Sequence, residues 1–292
     1  MLYLGVPIVF SYALVNVKDG NVKSCLEQFF WIILIGFVFT NLGNFNISSI
    51  LSIDFLDSYS PFESNIAYVS LMMTLYYKWE DNKLKMLISA MISFLSFKRL
   101  ALLCLIAVLV LPVKRIKGNA KLNRIQNMVI IIFCLIPVIL QTVFSDSFEQ
   151  YISGLIGMDL NAFMKGRFTA MQIAFENYPS AGGLGSLRMF LKNYYSWYTY
   201  TEKLRSVDLH CDIVRFYLEC TIVGLLSLLY TYIKNAKTWK TFIVVVLILI
   251  MGLTTHVFGY GAVIYWIYYY LLIYYLNYDD EYQNGTVGVE LE

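Results

Sequence analysis

The stretch LKMLISAMISFLSFKRLALLCLIAVLVLPV, residues 84–113, decides how this chain is arranged. It is 30 residues long and carries charge only at Lys85 and at the central pair Lys98 and Arg99. A single membrane-crossing helix would hold both central cations at a depth where each costs about 2.5–3.5 kcal/mol. Two short helices joined by a turn at 97–99 avoid that cost. The stretch therefore predicts a hairpin of helices only about 21 Å long, with its turn sunken below the outer membrane surface.

The composition of the whole chain is that of a membrane protein. Of 292 residues, 59% are hydrophobic and 14% are charged, whereas a globular chain carries about 25% charged residues. So few charges exclude a soluble enzyme, and the high hydrophobicity excludes a disordered chain. A net charge of +2 does not supply the basic face of a nucleic-acid-binding protein.

Apolar runs predict an all-α, polytopic integral membrane protein with about nine transmembrane helices and one large, partly helical extracytoplasmic loop. By this division residues 1–143 form N-terminal transmembrane helices, 144–215 the large loop, 216–278 C-terminal transmembrane helices and 279–292 an acidic cytoplasmic tail. The predicted spans lie near 1–17, 27–45, 64–79, 84–97, 100–113, 127–144, 214–233, 241–255 and 258–277.

The distribution of lysine and arginine predicts the orientation. Alternate short loops hold thirteen of the 22 basic residues, whereas residues 46–63 on the opposite side hold none. By the positive-inside rule the basic loops are cytoplasmic and the amino terminus is outside. An external amino terminus without a clear signal peptide predicts that an odd number of leading spans is lacking. The basic loop residues are Lys18, Lys23, Lys78, Lys83, Lys85, Lys114, Arg115, Lys117, Lys121, Arg124, Lys234, Lys237 and Lys240.

The large loop has features of folded structure. Apolar residues at helical spacing predict helices over 150–160 and 162–177, the second ended by Pro179. The run from Gly182 to Gly185 predicts a flexible turn whose backbone amides approach a ligand. The aromatic residues of 194–200 fit an interfacial belt better than a sugar-stacking platform.

Three stretches carry a resemblance to a known family. They are GRFTAMQIAFENYPSAGGLG (166–185), HCDIVRFYLECTIVG (210–224) and the turn SFKRLALL (96–103). Together they resemble the large outer loop and the arginine turn of bacterial O-antigen polymerases and ligases. The chain departs from the family pattern at Cys211, where Asn is usual, at Thr221, where Gly is common, and at Lys98, where Ser is frequent. The matching residues are Arg99, Gly166, Arg167, Pro179, Gly182, Gly185, His210, Glu219 and Gly224.

The resemblance implies a metal-independent membrane glycosyltransferase without a cofactor. Such an enzyme polymerises undecaprenyl-diphosphate-linked oligosaccharide repeat units into capsule, exopolysaccharide or O-antigen at the outer face of the bacterial cytoplasmic membrane. The implied partners are this lipid-linked oligosaccharide, membrane lipid, and chain-length regulator and flippase proteins, with no nucleic acid.

This chemistry assigns roles to particular residues. Cations must bind the diphosphate and stabilise its growing negative charge, and a general base must take the proton of the acceptor hydroxyl. The predicted diphosphate-binding residues are Arg99, Lys98 and Arg215. The predicted catalytic residues are His210, which titrates near neutral pH, Arg167, and Glu219, an ionisable group inside a span. Gly182 and Gly185 supply loop backbone, and no metal is expected.

Other interpretations stay open. An O-antigen ligase would use the same site to transfer finished glycan to an acceptor. A non-enzymatic polysaccharide flippase or transporter would spread ionisable groups around a central cavity. A dolichol-phosphate-type glycosyltransferase would use Asp54 and Asp57 to hold a metal. For single residues the alternatives are snorkelling of Lys98 and Arg99 to the interface, a salt bridge for Arg167 and a structural role for His210.

Overall fold

A computed structural model of the chain describes residues 2–16, 22–53, 60–110, 119–143, 146–157, 167–198, 209–253 and 263–283. Within these ranges every regular element is helical, which confirms the all-α class. The helices are α1 Leu2–Asn16, α2 Val22–Thr40, α3 Ile47–Leu51, α4 Ile66–Trp79, α5 Lys83–Leu95, α6 Arg99–Val110, α7 Asn119–Val143, α8 Asp146–Ile156, α9 Arg167–Asn177, α10 Ser186–Tyr198, α11 Asp212–Lys234, α12 Trp239–Met251 and α13 Val263–Gln283.

Each predicted span corresponds to one helix in the described part of the chain. Three helices there are long and apolar enough to cross a membrane, over Val22–Thr40, Ala120–Thr142 and Asp212–Lys234. That the remaining six cross it stays a prediction. Helices α2 and α7 begin before their apolar runs because a helix satisfies its own backbone hydrogen bonds whatever its side chains.

The described part of the stretch, residues 84–110, forms two antiparallel helices, α5 and α6, as predicted. The Ser93 hydroxyl donates to the Ala67 carbonyl (3.0 Å), which places the end of α5 beside the start of α4. Lys78 Nζ donates to the carbonyl oxygen of Val108 (2.5 Å), which places the end of α6 beside the end of α4. The chain reverses between them at Phe97, whose φ is 45°.

The described residues divide into two compact units. Unit 1 comprises Met1–Lys117, Ala236–Leu247 and Tyr260–Glu292, and unit 2 comprises Gly118–Asn235 and Ile248–Gly259. In unit 1, helices α4 and α5 pack along their length. Small side chains are buried on both helices and allow the close approach that is common between membrane helices. These residues are Ala67, Ser70, Ser89, Ala90 and Ser93.

Loops that the charge pattern assigns to the outer side lie together in unit 1. The Asn44 side chain donates to the carbonyl oxygen of Pro61 (2.9 Å), and the Ser64 amide donates to that of Ser96 (3.1 Å). The buried ring of Phe62 packs in the same region. These contacts support the predicted alternation of the helices.

Loops that the charge pattern assigns to the cytoplasmic side meet at the other end of unit 1. Lys23 pairs with Glu80 (2.5 Å), and Lys85 pairs with Glu27. The Tyr275 hydroxyl also donates to Glu80 (3.2 Å), so α13 joins the start of α2 and the end of α4. These ion pairs link helices that are far apart in sequence.

In unit 2 the long helices α7 and α11 pack against each other in antiparallel fashion. Lys234 Nζ, at the end of α11, donates to Asn123 Oδ1, near the start of α7. Each helix buries a stripe of apolar side chains at helical spacing, and burial of these stripes stabilises the pair. The stripes are Leu122, Ile130 and Phe133 on α7, and Leu225, Leu229 and Ile233 on α11.

Three helices of the described residues follow α7 in the region predicted as the large loop. Helix α9 ends at Asn177, one residue before Tyr178–Pro179, as the proline predicts. Helix α9 packs on α10, and α10 packs on α11. The predicted loop helix over 150–160 corresponds to α8, which begins four residues earlier.

Cysteine accessibility tests the orientation. In a variant whose five cysteines are replaced by alanine, we expect a membrane-impermeant maleimide to label Asn65→Cys in spheroplasts and to leave Lys83→Cys unlabelled until the cells are lysed. Both positions are exposed, at opposite ends of the α4–α5 pair. The reverse labelling pattern would contradict the orientation that the positive-inside rule predicts.

Candidate functional site

Helix α11 is broken at Thr221. This residue has φ 64° and ψ 179°, a backbone region used almost only by glycine, and its occupation costs about 1–3 kcal/mol. In a regular helix the carbonyls of Leu218 and Glu219 would accept from amides four residues later. Here they accept from the amides of Ala181 (2.9 Å) and Gly183 (3.0 Å) instead. The break therefore provides two acceptors that hold the segment before α10.

That segment, residues 180–186, forms a tight turn that we call the glycine turn. A Cβ at Gly182 would lie 2.5 Å from the Tyr178 hydroxyl oxygen and 2.8 Å from Ser186 Oγ, so any other residue would force these side chains to shift. The hydroxyls of Tyr178 and Ser186 are hydrogen-bonded to each other. Gly185 has a left-handed φ of 89°, which favours glycine. Gly182 and Gly185 therefore shape the turn that docks on α11.

Glu219 joins the glycine turn to α11 through its side chain as well. It is buried, with 1% of its surface exposed. Its Oε1 accepts from Arg215 Nε (3.2 Å) and from the amide of Leu187 (3.2 Å). Leu187 is the second residue of α10, so the carboxylate lies where a helix has free amides and a partial positive charge. One cation and one helix end thus stabilise the buried charge.

Arg215 presents the rest of its guanidinium group outward. Its side chain is 22% exposed and its Nε is held by Glu219. Within the described residues neither Nη nitrogen has a hydrogen-bond partner. Because the guanidinium is planar and always charged, these two nitrogens form a fork that matches an oxyanion such as a phosphate. The structure thus brings together Arg215, Glu219 and the glycine turn, all predicted from the sequence.

The other predicted residues of unit 2 lie at helix starts. His210 lies two residues before the start of α11 and Arg167 begins α9, and both side chains are half-buried. Their catalytic roles stay predictions. Asp212, which the sequence did not single out, is fully buried at the first position of α11, and its amide donates to the Gly252 carbonyl (2.7 Å). An acidic residue directly before an apolar run is the signal that could have identified it.

Lys98 and Arg99 belong to unit 1, in the turn between α5 and α6. Lys98 Nζ pairs with Glu63 (2.5 Å), and a surface pair of this kind contributes little to stability. Arg99 begins α6 and is half-buried. The preceding Phe97 is buried in a left-handed conformation that is rare for a bulky residue. Binding of a diphosphate by this turn stays a prediction.

In the described ranges, no three histidine, cysteine, aspartate or glutamate side chains lie close enough together to hold a metal ion. Asp54 and Asp57, the acidic pair of the dolichol-phosphate-type alternative, lie outside those ranges. Comparison with known protein families, curated proteins and solved structures gives no match. The chemistry of the Arg215–Glu219 group and the sequence resemblance are therefore the two indications of function.

Replacement of Thr221 tests the strain at the helix break. We expect Thr221→Gly to raise the free energy of unfolding by about 0.5–2 kcal/mol, because glycine adopts this conformation without steric cost. Thr231→Gly, in the regular part of the same helix, is the matched control and should lower it. Thermal unfolding in detergent measures both, and a Thr221→Gly variant less stable than the parent would contradict the strain.

Gly182→Ala tests the glycine turn. The added methyl group would overlap the Tyr178 and Ser186 hydroxyls, so we expect a loss of about 1–3 kcal/mol. Gly154→Ala is the control, because Gly154 lies in α8 with nothing within 4 Å of an added Cβ, and it should be neutral or stabilising. Equal stability of the two variants would show that the turn tolerates a side chain at 182.

Proposed function

We propose that this protein is a membrane glycosyltransferase that polymerises undecaprenyl-diphosphate-linked oligosaccharide repeat units into a cell-surface polysaccharide. The observation that supports this most is the state of Arg215. Its Nε is fixed by the buried Glu219, while among the described residues its two Nη nitrogens have no hydrogen-bond partner, close to the start of an apolar helix. A fixed cation at the edge of a span suits the phosphate groups of a membrane lipid.

The reaction needs such a cation. The acceptor hydroxyl oxygen forms a bond to the anomeric carbon of the donor sugar, and the bond from that carbon to the diphosphate breaks. The diphosphate leaves with the electron pair, so its negative charge grows in the transition state. Hydrogen-bond donors that already point towards the diphosphate lower the activation barrier, because they need not reorient as the charge grows. Arg215 is oriented in this sense because Glu219 holds its Nε.

The proton of the acceptor hydroxyl needs a base. His210 lies five residues before Arg215, at the same end of α11, and is half-buried. Its neutral imidazole accepts a proton near neutral pH. General base catalysis of this kind contributes about 10²- to 10⁴-fold to the rate.

Arg99 supplies a further cation in the proposal. It lies with Lys98 in a short turn that the charge pattern places on the outer side, where short loops otherwise lack basic residues. Binding of an anion by this turn would explain why two basic residues lie on the side where short loops otherwise lack them. Lys98 of the same turn is paired with Glu63.

Chain-length ladders of the polysaccharide test the proposal in a strain lacking the parental gene. We expect Arg99→Ala, Arg215→Lys and His210→Gln to lose long chains at normal protein abundance. Lysine is chosen at position 215 because it keeps a charge near the buried Glu219 but removes the planar fork. Lys192→Ala, an exposed cation of α10, is the control and should leave the ladder unchanged.

The product that accumulates separates a polymerase from a ligase. Loss of a polymerase leaves single repeat units, whereas loss of a ligase leaves long glycan on the lipid carrier. Normal ladders in all three variants would overturn the proposal.

A further inference from the structure

Glu219 lies on α11, where the glycine turn and the start of α10 pack against this helix. We infer that Glu219 is a positioning residue, which aims the Arg215 guanidinium and fastens the start of α10, and that it is not the base of the reaction. The inference deepens the proposed function and depends on it for the identity of the anion at Arg215. The fastening itself depends only on the contacts below.

Glu219 accepts hydrogen bonds through both its side chain and its backbone. Its Oε1 accepts from Arg215 Nε and from the amide of Leu187, and its backbone carbonyl accepts from the amide of Gly183. With 1% of its surface exposed, it is poorly placed to reach a sugar hydroxyl. A general base must come within about 3 Å of the proton that it takes. These contacts favour a role for Glu219 in positioning Arg215 over a role in proton transfer.

The helix break makes the fastening possible. Without the conformation of Thr221, the Glu219 carbonyl would bond within α11 and would not be open to Gly183. The backbone and the side chain of one residue therefore hold the two ends of the same segment, the glycine turn and the first turn of α10. The backbone attachment is lost if this part of α11 becomes a regular helix.

The shared oxygen has a consequence for Arg215. A carboxylate without other partners prefers to bind a guanidinium group through two parallel hydrogen bonds. Such a pair would engage an Nη nitrogen as well as Nε and would occupy part of the anion site. Because the Leu187 amide also binds Oε1, the docked α10 helps keep the carboxylate on Nε alone. The packing of α10 against Glu219 thus leaves the two Nη nitrogens of Arg215 available to an anion.

Two variants separate positioning from proton transfer. In Glu219→Gln the amide oxygen still accepts hydrogen bonds but no longer takes a proton, so we expect long polysaccharide chains to persist, with transfer within about ten-fold of the parent. Glu219→Ala removes both side-chain hydrogen bonds and should lose long chains. Loss of transfer by about 10²-fold or more in Glu219→Gln, the size expected for removal of a base, would overturn the inference.

Proteolysis measures the fastening without reference to activity. In nanodiscs, where both membrane faces are accessible, trypsin cleaves α10 after the exposed Arg188 and Lys192 only when the helix opens locally. We expect cleavage in Glu219→Ala to be about ten-fold faster or more, since a hydrogen bond to a charged group shifts the open population by that factor. Glu219→Gln should cleave nearly as slowly as the parent. Glu176→Gln, an exposed acid on α9, is the matched control.

The two measurements fail separately. If the parent forms no polysaccharide, the proposed function fails, while the proteolysis comparison still tests the fastening. Unchanged cleavage in Glu219→Ala would show that Glu219 does not fasten α10. If Glu219→Ala does not accumulate in the membrane, the Glu219→Gln variant decides between the two roles. Transfer that is retained together with slow cleavage supports positioning by Glu219. Transfer that is lost while cleavage stays slow identifies Glu219 as the base.

Discussion

Within a bilayer each backbone amide and carbonyl must find its partner in the protein, because lipid supplies none. The break at Thr221 removes partners from two carbonyls of α11, and the amides of Ala181 and Gly183 replace them. This exchange fixes where the glycine turn lies. The positions of α10 and of the guanidinium group of Arg215 follow from it, so the candidate site depends on one irregular residue in an otherwise apolar helix.

Features of the fold that depend on local physical costs could be predicted from the sequence. Lys98 and Arg99 in the middle of an apolar run are too costly to bury in a single helix, and the chain does reverse there. Pro179 cannot follow a helical residue comfortably, and α9 ends just before it. In both cases a few neighbouring residues determine where the helix ends, so the prediction requires no knowledge of distant contacts.

The arrangement around Glu219 could not be predicted in this way. An ionisable residue inside a span indicated a special role, but its partner at Leu187 lies 32 residues away, and no local pattern predicts that meeting. Thr221 carries no signal of a break either, since neither glycine nor proline stands there. The ion pair of Lys98 with Glu63 was missed for the same reason, because 35 residues separate the two side chains. What the sequence did provide was the set of residues, without their contacts.

At the end of unit 1 that the charge pattern assigns to the cytoplasm, the ion pairs imply that the same lysines act at two different times. While the chain inserts, Lys23 and Lys85 count as free cations that retain their loops in the cytoplasm, since acidic residues contribute little to that selection. Once the helices assemble, the same charges are neutralised by Glu80 and Glu27 on other helices. The same lysine side chains therefore contribute to both orientation and assembly. They first oppose transfer of their loops across the membrane, and they afterwards attract the carboxylates of other segments.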